Sequence, residues 1–326
     1  MPEVRRVAIL DDYQRVARRS AEWHRVTEGL GAELTTFHEH LGGPDDVVAA
    51  LEPFDVLVVM RERTAFPAEV LERLPNLRLL VTTGPANAAI DVAAAHRAGI
   101  TVSGTGGVHD NAATVEMTWA LILAAVRHVP EEDRSLREGG WQHTVGADLK
   151  GRRLGVVGLG GIGKPVAAVG QAFGMDVAAW SRRLDPDDAR AVGVTPVDKE
   201  ELFATSDVVT IHMKLSRGSR GIVGGEDLAR MTAHAVLVNT SRGPLVDEDA
   251  LLAALHAGTI GGAALDVYGV EPLPADSPWR SAPRAVLTPH LGYVTEKTFA
   301  RMYADVVEDI EAFAAGAPVR ELADPG

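Results

Sequence analysis

The sequence predicts an α/β protein built from two doubly wound parallel-sheet domains, and three observations carry that prediction. Short apolar runs alternate with helical stretches over roughly the first hundred residues. The same alternation restarts at Leu154. The chain has 326 residues, more than one hydrophobic core usually organises.

Strands are expected in the first half at Val7–Leu10, Leu34–Phe37, Val56–Met60, Leu79–Thr82 and Ile100–Ser103. Each is a short apolar or β-branched run of the kind that is buried on both faces of a parallel sheet. Helical stretches lie between them, around Tyr13–Gly29, Asp45–Leu51, Pro67–Leu74 and Ile90–Ala98. Thr105-Gly106-Gly107 reads as a flexible joint. A long helix follows over Asn111–Arg127, with Asp110 or Asn111 as its N-cap, and its middle is apolar nearly all round, as in a helix buried between elements. The stretch Val129–Lys150 is polar and mixed, and its Trp141 suits a local anchor or a subunit contact.

In the second half, strands are expected at Leu154–Val157, Val177–Trp180, Val208–Ile211, Ala235–Asn239, Ala263–Val267 and Val286–Thr288, six in a doubly wound sheet. The last stretch, Glu296–Ala315, places Phe299, Met302, Tyr303, Val306, Ile310 and Phe313 on one helical face and is stopped by Gly316 and Pro318. With no strand after it, this helix is expected to cross back onto the first domain. The expected division is residues 1–103 with 291–326, and 104–290 inserted between them.

Bulk properties narrow the function. A net charge of −13 argues against nucleic acid and anionic membranes as partners. The N-terminus has four consecutive apolar residues before Asp11 and Asp12, too few for a signal peptide, and the run Trp119–Val126 is too short to cross a bilayer. There are no cysteines, which excludes disulfides and thiolate chemistry and accords with an expected cytoplasmic location.

The most informative stretch is RLGVVGLGGIGKPVAAVGQAF, from Arg153 to Phe173. It sets G-x-G-x-x-G between a strand and a helix, the context a dinucleotide site requires. Gly158 permits the tight turn, Gly160 lets backbone approach a pyrophosphate, Gly163 lets helix pack on strand, and Gly161 and Ile162 complete the turn. The helix N-terminus offers N–H groups and partial positive charge to phosphates. A methyltransferase, whose cofactor also sits by a glycine-rich first turn, is the rival reading.

The end of the second strand of this domain sets the choice of dinucleotide, because an acidic residue there holds the ribose hydroxyls of NAD. Here the position is Ser181, followed by Arg182 and Arg183. A serine with two guanidinium groups suits a 2′-phosphate, so NADP is favoured over NAD, which stays possible. Three further polar groups stand at strand ends: Arg242 in NTSRG, Asp266 with Glu271 five residues on, and His290 in LTPHLG. An arginine, a carboxylate and a histidine facing a dinucleotide form a reaction centre. The cluster His38-Glu39-His40 lacks helical spacing and further ligands, so it reads as a solvated loop and no metal is expected.

Four segments in order, VVGLGGIGKPVA, LVNTSRGPLVDEDAL, GAALDVYGVEPLP and LTPHLG, resemble the D-isomer-specific 2-hydroxyacid dehydrogenases, and the likeness covers essentially the whole chain. The resemblance implies a Rossmann dinucleotide-binding domain inserted into a flavodoxin-like catalytic domain. It implies that His290 exchanges the proton at the ketone oxygen, that Glu271 hydrogen-bonds His290 and stabilises its protonated form, and that Arg242 grips the substrate carboxylate or polarises the carbonyl. Asp266 would hold the nicotinamide carboxamide, and Thr114 matches a position near the cofactor. Backbone N–H groups after the fourth strand, around Gly84, would bind the substrate carboxylate, although Pro85 removes one donor. Arg61 and Arg63 could approach the substrate from the loop after the third strand. Tyr293 stands where relatives carry a smaller residue, and His212 is expected to order the cleft wall.

The implied activity is hydride transfer between NADPH or NADH and a small 2-keto or D-2-hydroxy acid, with glyoxylate and hydroxypyruvate as candidates. Phosphoglycerate dehydrogenase is the rival within the family, disfavoured because no regulatory domain follows Pro318. A nucleotide-sensing binding protein of the same fold is the rival from another class. The resemblance also implies a homodimer through the nucleotide domains.

Overall fold

The computed structural model describes residues 3–106 and 111–323, so Asp110 and Gly107 lie outside the described residues. The chain divides into two compact units, residues 1–109 with 295–326, and residues 110–294.

Unit 1 holds β1 (Arg6–Ile9), β2 (Glu33–Thr36), β3 (Val56–Val59), β4 (Leu79–Thr82) and β5 (Thr101–Gly104). All pairings are parallel, in the order β2-β1-β3-β4-β5. β3 and β4 (VLVV and LLVT) are buried at every position, which is why they read as continuous apolar runs instead of alternating ones. One expected element differs. In place of a helix over Tyr13–Gly29 the chain makes a 3-10 turn, Ala17–Arg19, and a single helical turn, His24–Thr27. The cause is local: the Asp12 carboxylate accepts from the backbone N–H of Val16 (2.8 Å) and Ala17 (3.2 Å), and Arg15 stands at φ 55°, outside the helical region.

The helix Glu296–Ala314 packs its apolar face in unit 1, with Tyr303 fully buried and its ring 6.0 Å from that of Trp23. Beyond it the chain runs antiparallel beside the edge strand β5. Leu322 N–H donates to the Val102 carbonyl (2.8 Å), and Gly104 N–H donates to that of Arg320 (3.0 Å).

Unit 2 holds β6 (Arg153–Val157), β7 (Asp176–Trp180), β8 (Thr195–Pro196), β9 (Val208–Ile211), β10 (Val236–Asn239), β11 (Gly262–Leu265) and β12 (Ala285–Leu287). They form one parallel sheet in the order β12-β11-β10-β9-β6-β7-β8. The sheet therefore has seven strands instead of the expected six. The extra one is a two-residue edge strand ending in proline, too short to leave a hydrophobic pattern. The order reverses at β6, whose neighbours are β9 and β7, and this switch point is where open α/β sheets place their ligands.

The helix Ala112–Val126 packs on β10, β11 and β12 with Trp119, Leu121 and Ile122 buried. The expected Asn111 cap is not made: Asn111 is left-handed (φ 49°) and its side chain forms no capping bond. By contrast Asp185, Asp198 and Asp247 do cap the helices that follow them, each accepting from a backbone N–H of the first turn.

Candidate functional site

The glycine turn after β6 is shaped by close backbone contacts. Gly158 sits at φ 100°, and a Cβ there would lie 2.5 Å from the His212 carbonyl oxygen. A Cβ on Gly163, which opens the helix Gly163–Ala172, would lie 2.1 Å from the Gly158 carbonyl oxygen. Only glycine fits either position. At Gly160 the opposite holds, since a Cβ would meet nothing within 4 Å. That open side, at a helix N-terminus, fits the diphosphate of a dinucleotide. Gly161 lies on the same turn beside the Asn111 side chain, and Ile162 stands directly before the helix.

Ser181 begins the turn after β7, closed by the Leu184 N–H on the Ser181 carbonyl (3.1 Å). Arg182 and Arg183 are exposed on this turn. Arg182 reaches across to the loop after β9, where its Nη1 donates to the Gly218 carbonyl (2.6 Å).

At the ends of β10, β11 and β12 the structure brings Arg242, Glu271 and His290 together. The His290 Nδ1–H donates to Glu271 Oε2 at 2.5 Å, and Glu271 Oε1 accepts from the Tyr268 N–H at 2.8 Å. Burial would raise the Glu271 pKa. The hydrogen bond and charge of His290, the Tyr268 N–H and the positive charge of Arg242 outweigh it and hold the carboxyl below its usual range. Arg242 is positioned by the turn after β10: Asn239 Nδ2 donates to its carbonyl (3.0 Å), and its Nη1 donates to the Ser241 carbonyl (2.8 Å). Gly243 makes this possible, since any Cβ would overlap the backbone of Tyr268 at 2.0 Å. The Tyr293 ring packs edge-on against the His290 imidazole, with centroids 5.5 Å apart.

Asp266 is fully buried one step behind this group. Its Oδ1 accepts from Thr288 Oγ1 (2.6 Å) and the Leu291 N–H (2.7 Å), and its Oδ2 accepts from the Gly292 N–H (2.7 Å). Burial raises its pKa, opposed by these three donors and the charge of His290. The loop that carries His290 is thus fastened on both sides of that residue. Sequence reasoning missed this contact, because it depends on β11 lying beside β12. Thr114 joins the same loop, its Oγ1 donating to the Gly292 carbonyl (3.0 Å).

His212 ends β9. Its Nε2 lies 2.9 Å from Thr210 Oγ1, and burial pushes its pKa down to about 3. Burial thus favours the neutral ring.

In unit 1, Gly84 stands at φ 154° with its N–H on the Thr82 carbonyl (2.9 Å), and a Cβ there would lie 2.5 Å from Arg61 Nη1. Arg61 lies over the Thr83-Gly84 backbone, its own N–H donating to Thr83 Oγ1 (3.0 Å). Arg63 is held by the Asp11 carbonyl (2.8 Å) and sits 4.6 Å over the Tyr13 ring. In the cluster expected to be solvated, Glu39 and His40 are exposed, His40 with its ring 3.7 Å from Asp11, and His38 is half-buried beside Asp12. Among the described residues no three His, Asp or Glu side chains are grouped to hold a metal ion, and no single helix is long and apolar enough to cross a membrane.

Comparison with known proteins places this geometry. Residues 119–292 match the model of the D-isomer specific 2-hydroxyacid dehydrogenase NAD binding domain. A glyoxylate reductase from Aeropyrum pernix is 39% identical over 257 residues, 76% of each chain. A D-3-phosphoglycerate dehydrogenase from Archaeoglobus fulgidus is 35% identical over 278 residues, 85% of this chain but 52% of that one. The chain thus spans about half the length of the phosphoglycerate dehydrogenase relatives it matches. The solved structure of a phosphoglycerate oxidoreductase from Vibrio cholerae superposes with a TM-score of 0.89 at 37% identity, covering 96% of this chain and 100% of that one. The chain belongs to the D-isomer-specific 2-hydroxyacid dehydrogenase family.

Proposed function

We propose that the protein reduces a small 2-keto acid, and oxidises the matching D-2-hydroxy acid, with a nicotinamide dinucleotide. The observation that carries this reading is the 2.5 Å contact between His290 Nδ1 and Glu271 Oε2, with the charge of Arg242 acting on the same carboxylate. A carboxylate accepts, so Nδ1 carries the proton in that bond. Nε2 is then the ring atom that gives its proton to the ketone oxygen in reduction and takes it back in oxidation. Glu271 fixes the tautomer and balances the imidazolium charge. Arg242 supplies a planar donor pair for the substrate carboxylate, which orients the reacting carbonyl. The glycine turn would hold the dinucleotide, Asp266 and Thr114 would serve its nicotinamide end, and the bound dinucleotide would supply or accept the hydride.

NADP is the preferred dinucleotide, because the second-strand position is Ser181 and no carboxylate stands there to repel a 2′-phosphate. Glyoxylate and hydroxypyruvate are the substrates of choice, in line with the glyoxylate reductases among the relatives. We further propose a cytoplasmic homodimer joined through unit 2, where Leu136, Trp141 and Val145 are 58%, 75% and 92% exposed. Sedimentation equilibrium tests the dimer. Steady-state assays of glyoxylate, hydroxypyruvate, pyruvate and 3-phosphohydroxypyruvate with each reduced nucleotide test the activity. Tight nucleotide binding without turnover of any of the four would replace the enzyme reading with that of a sensor.

A further inference from the structure

The loop after β9 carries an arrangement that the glycine turn and the Ser181 turn do not account for. β9 and β7 flank β6, so the loops that follow them border the glycine turn on its two sides. Five cations stand on these two loops: Arg182 and Arg183 on one, Lys214, Arg217 and Arg220 on the other, all exposed. Several other basic side chains of unit 2 are matched with carboxylates, as in Arg152–Asp207, Arg153–Asp176, Arg190–Asp187, Lys199–Asp227 and Arg230–Glu200. None of the five has such a partner among the described residues. In a chain of net charge −13, five cations without carboxylates beside a phosphate-binding turn form a local anion site.

The β9 loop is built to hold one shape. Ser219 is fully buried, its Oγ donating to the Lys214 carbonyl (2.7 Å) and accepting from the Ser216 N–H (2.8 Å). Gly221 N–H then fastens the loop to the Pro244 carbonyl (2.9 Å). Arg182 closes the structure through Gly218, where a Cβ would stand 2.9 Å from Nη1, so a side chain at 218 would push the guanidinium away. One Nη of Arg182 is therefore engaged in holding the loop.

We propose that Lys214 and Arg217 form a second wall of the site for the ribose 2′-phosphate, opposite Arg183, and that Arg182 is the positioning residue that docks this wall. The proposal rests on the NADP reading above and deepens it: specificity for the phosphorylated dinucleotide is shared by two loops instead of resting on the Ser181 turn alone.

The test is equilibrium binding to the full-length chain, read by fluorescence or calorimetry with NADPH, NADH and adenosine 2′,5′-bisphosphate. The double variant Lys214→Ala with Arg217→Ala should weaken NADPH and the bisphosphate by about tenfold or more, as loss of charge-assisted phosphate contacts does. NADH should change by less than about twofold, because uncharged ribose hydroxyls gain little from these groups. Arg182→Ala should weaken NADPH as well, and after Arg182→Ala the further effect of Arg217→Ala should shrink, the non-additivity of residues that act together. Unchanged thermal midpoints show that these exposed substitutions leave the fold intact. Equal weakening of NADPH and NADH, unaltered NADPH binding, or strict additivity would overturn the shared wall. Two outcomes in the unsubstituted protein would fall on the underlying reading and take the proposal with it: binding of neither dinucleotide, or NADH binding with no competition from the bisphosphate.

Discussion

Replacing Asp266 with asparagine tests whether the loop that bears His290 is held from behind. The carboxylate is wholly buried and receives three donors, Thr288 Oγ1, Leu291 N–H and Gly292 N–H, at 2.6–2.7 Å. An asparagine of the same shape offers one accepting oxygen, and its NH2 group must face at least one of those N–H donors. One lost charge-assisted bond and one unmatched buried donor together cost about 2–4 kcal/mol of unfolding free energy. The same change loosens the loop, and a displacement of roughly 1 Å at a catalytic group lowers the rate about a hundredfold. Urea denaturation and kcat for the best 2-keto acid measure both effects. The pH dependence supplies a separate check. Burial raises the Asp266 pKa above its ordinary 3.8, so the folded state holds this proton more tightly than the unfolded chain. Its contribution is therefore largest at low pH and declines as pH rises through the folded pKa. The gap between wild type and Asp266→Asn should accordingly be wider below pH 3.8 than at pH 8. Unchanged stability with unchanged kcat would refute the idea that these three bonds hold the loop.

Three further outcomes are expected. His290→Ala should lower kcat by about a hundredfold or more while dinucleotide affinity, read by titration, stays within about twofold; a small rate effect would remove His290 from proton transfer. Glu271→Gln keeps the shape but not the charge and should lower kcat by roughly tenfold or more. Because the Glu271 pKa lies below 4.5 in the folded protein, its contribution to stability is present above that pH and disappears as pH falls through the folded value, so acid unfolding of Glu271→Gln should be less steep. Asp309 behaves in the opposite sense. It is fully buried, bonded to Arg320 Nε at 2.9 Å, and burial pushes its pKa up to about 7 from 3.8. Stability should decline between those pH values by up to about 1.4 kcal/mol per pH unit, and Asp309→Asn should flatten that slope in denaturation curves.

What the sequence discloses follows from how local the responsible interactions are. β3, β4 and β9 are legible because a strand covered on both faces must be apolar throughout, and Arg242 and His290 because each stands three residues beyond the end of a short strand, β10 and β12. The segment Tyr13–Gly29 has helical spacing, but Asp12 diverts two backbone N–H groups to its own carboxylate, a competition that hydrophobic periodicity does not register. β8 has two residues and therefore no pattern. The bonds of Asp266 to the His290 loop and of Arg182 to Gly218 span 22–26 and 36 residues, and they exist only because particular strands are neighbours in the sheet.

The segment after the helix Glu296–Ala314 bonds to Val102 and Gly104 along β5. An outermost strand with a bare row of amide and carbonyl groups invites pairing with another molecule. Here the chain's own tail occupies that row, and the side chain of Arg320 ties it down through Glu308 and Asp309. Removing residues from Ala317 onward would lay the strand bare, and loss of solubility in concentrated solution is the consequence to look for.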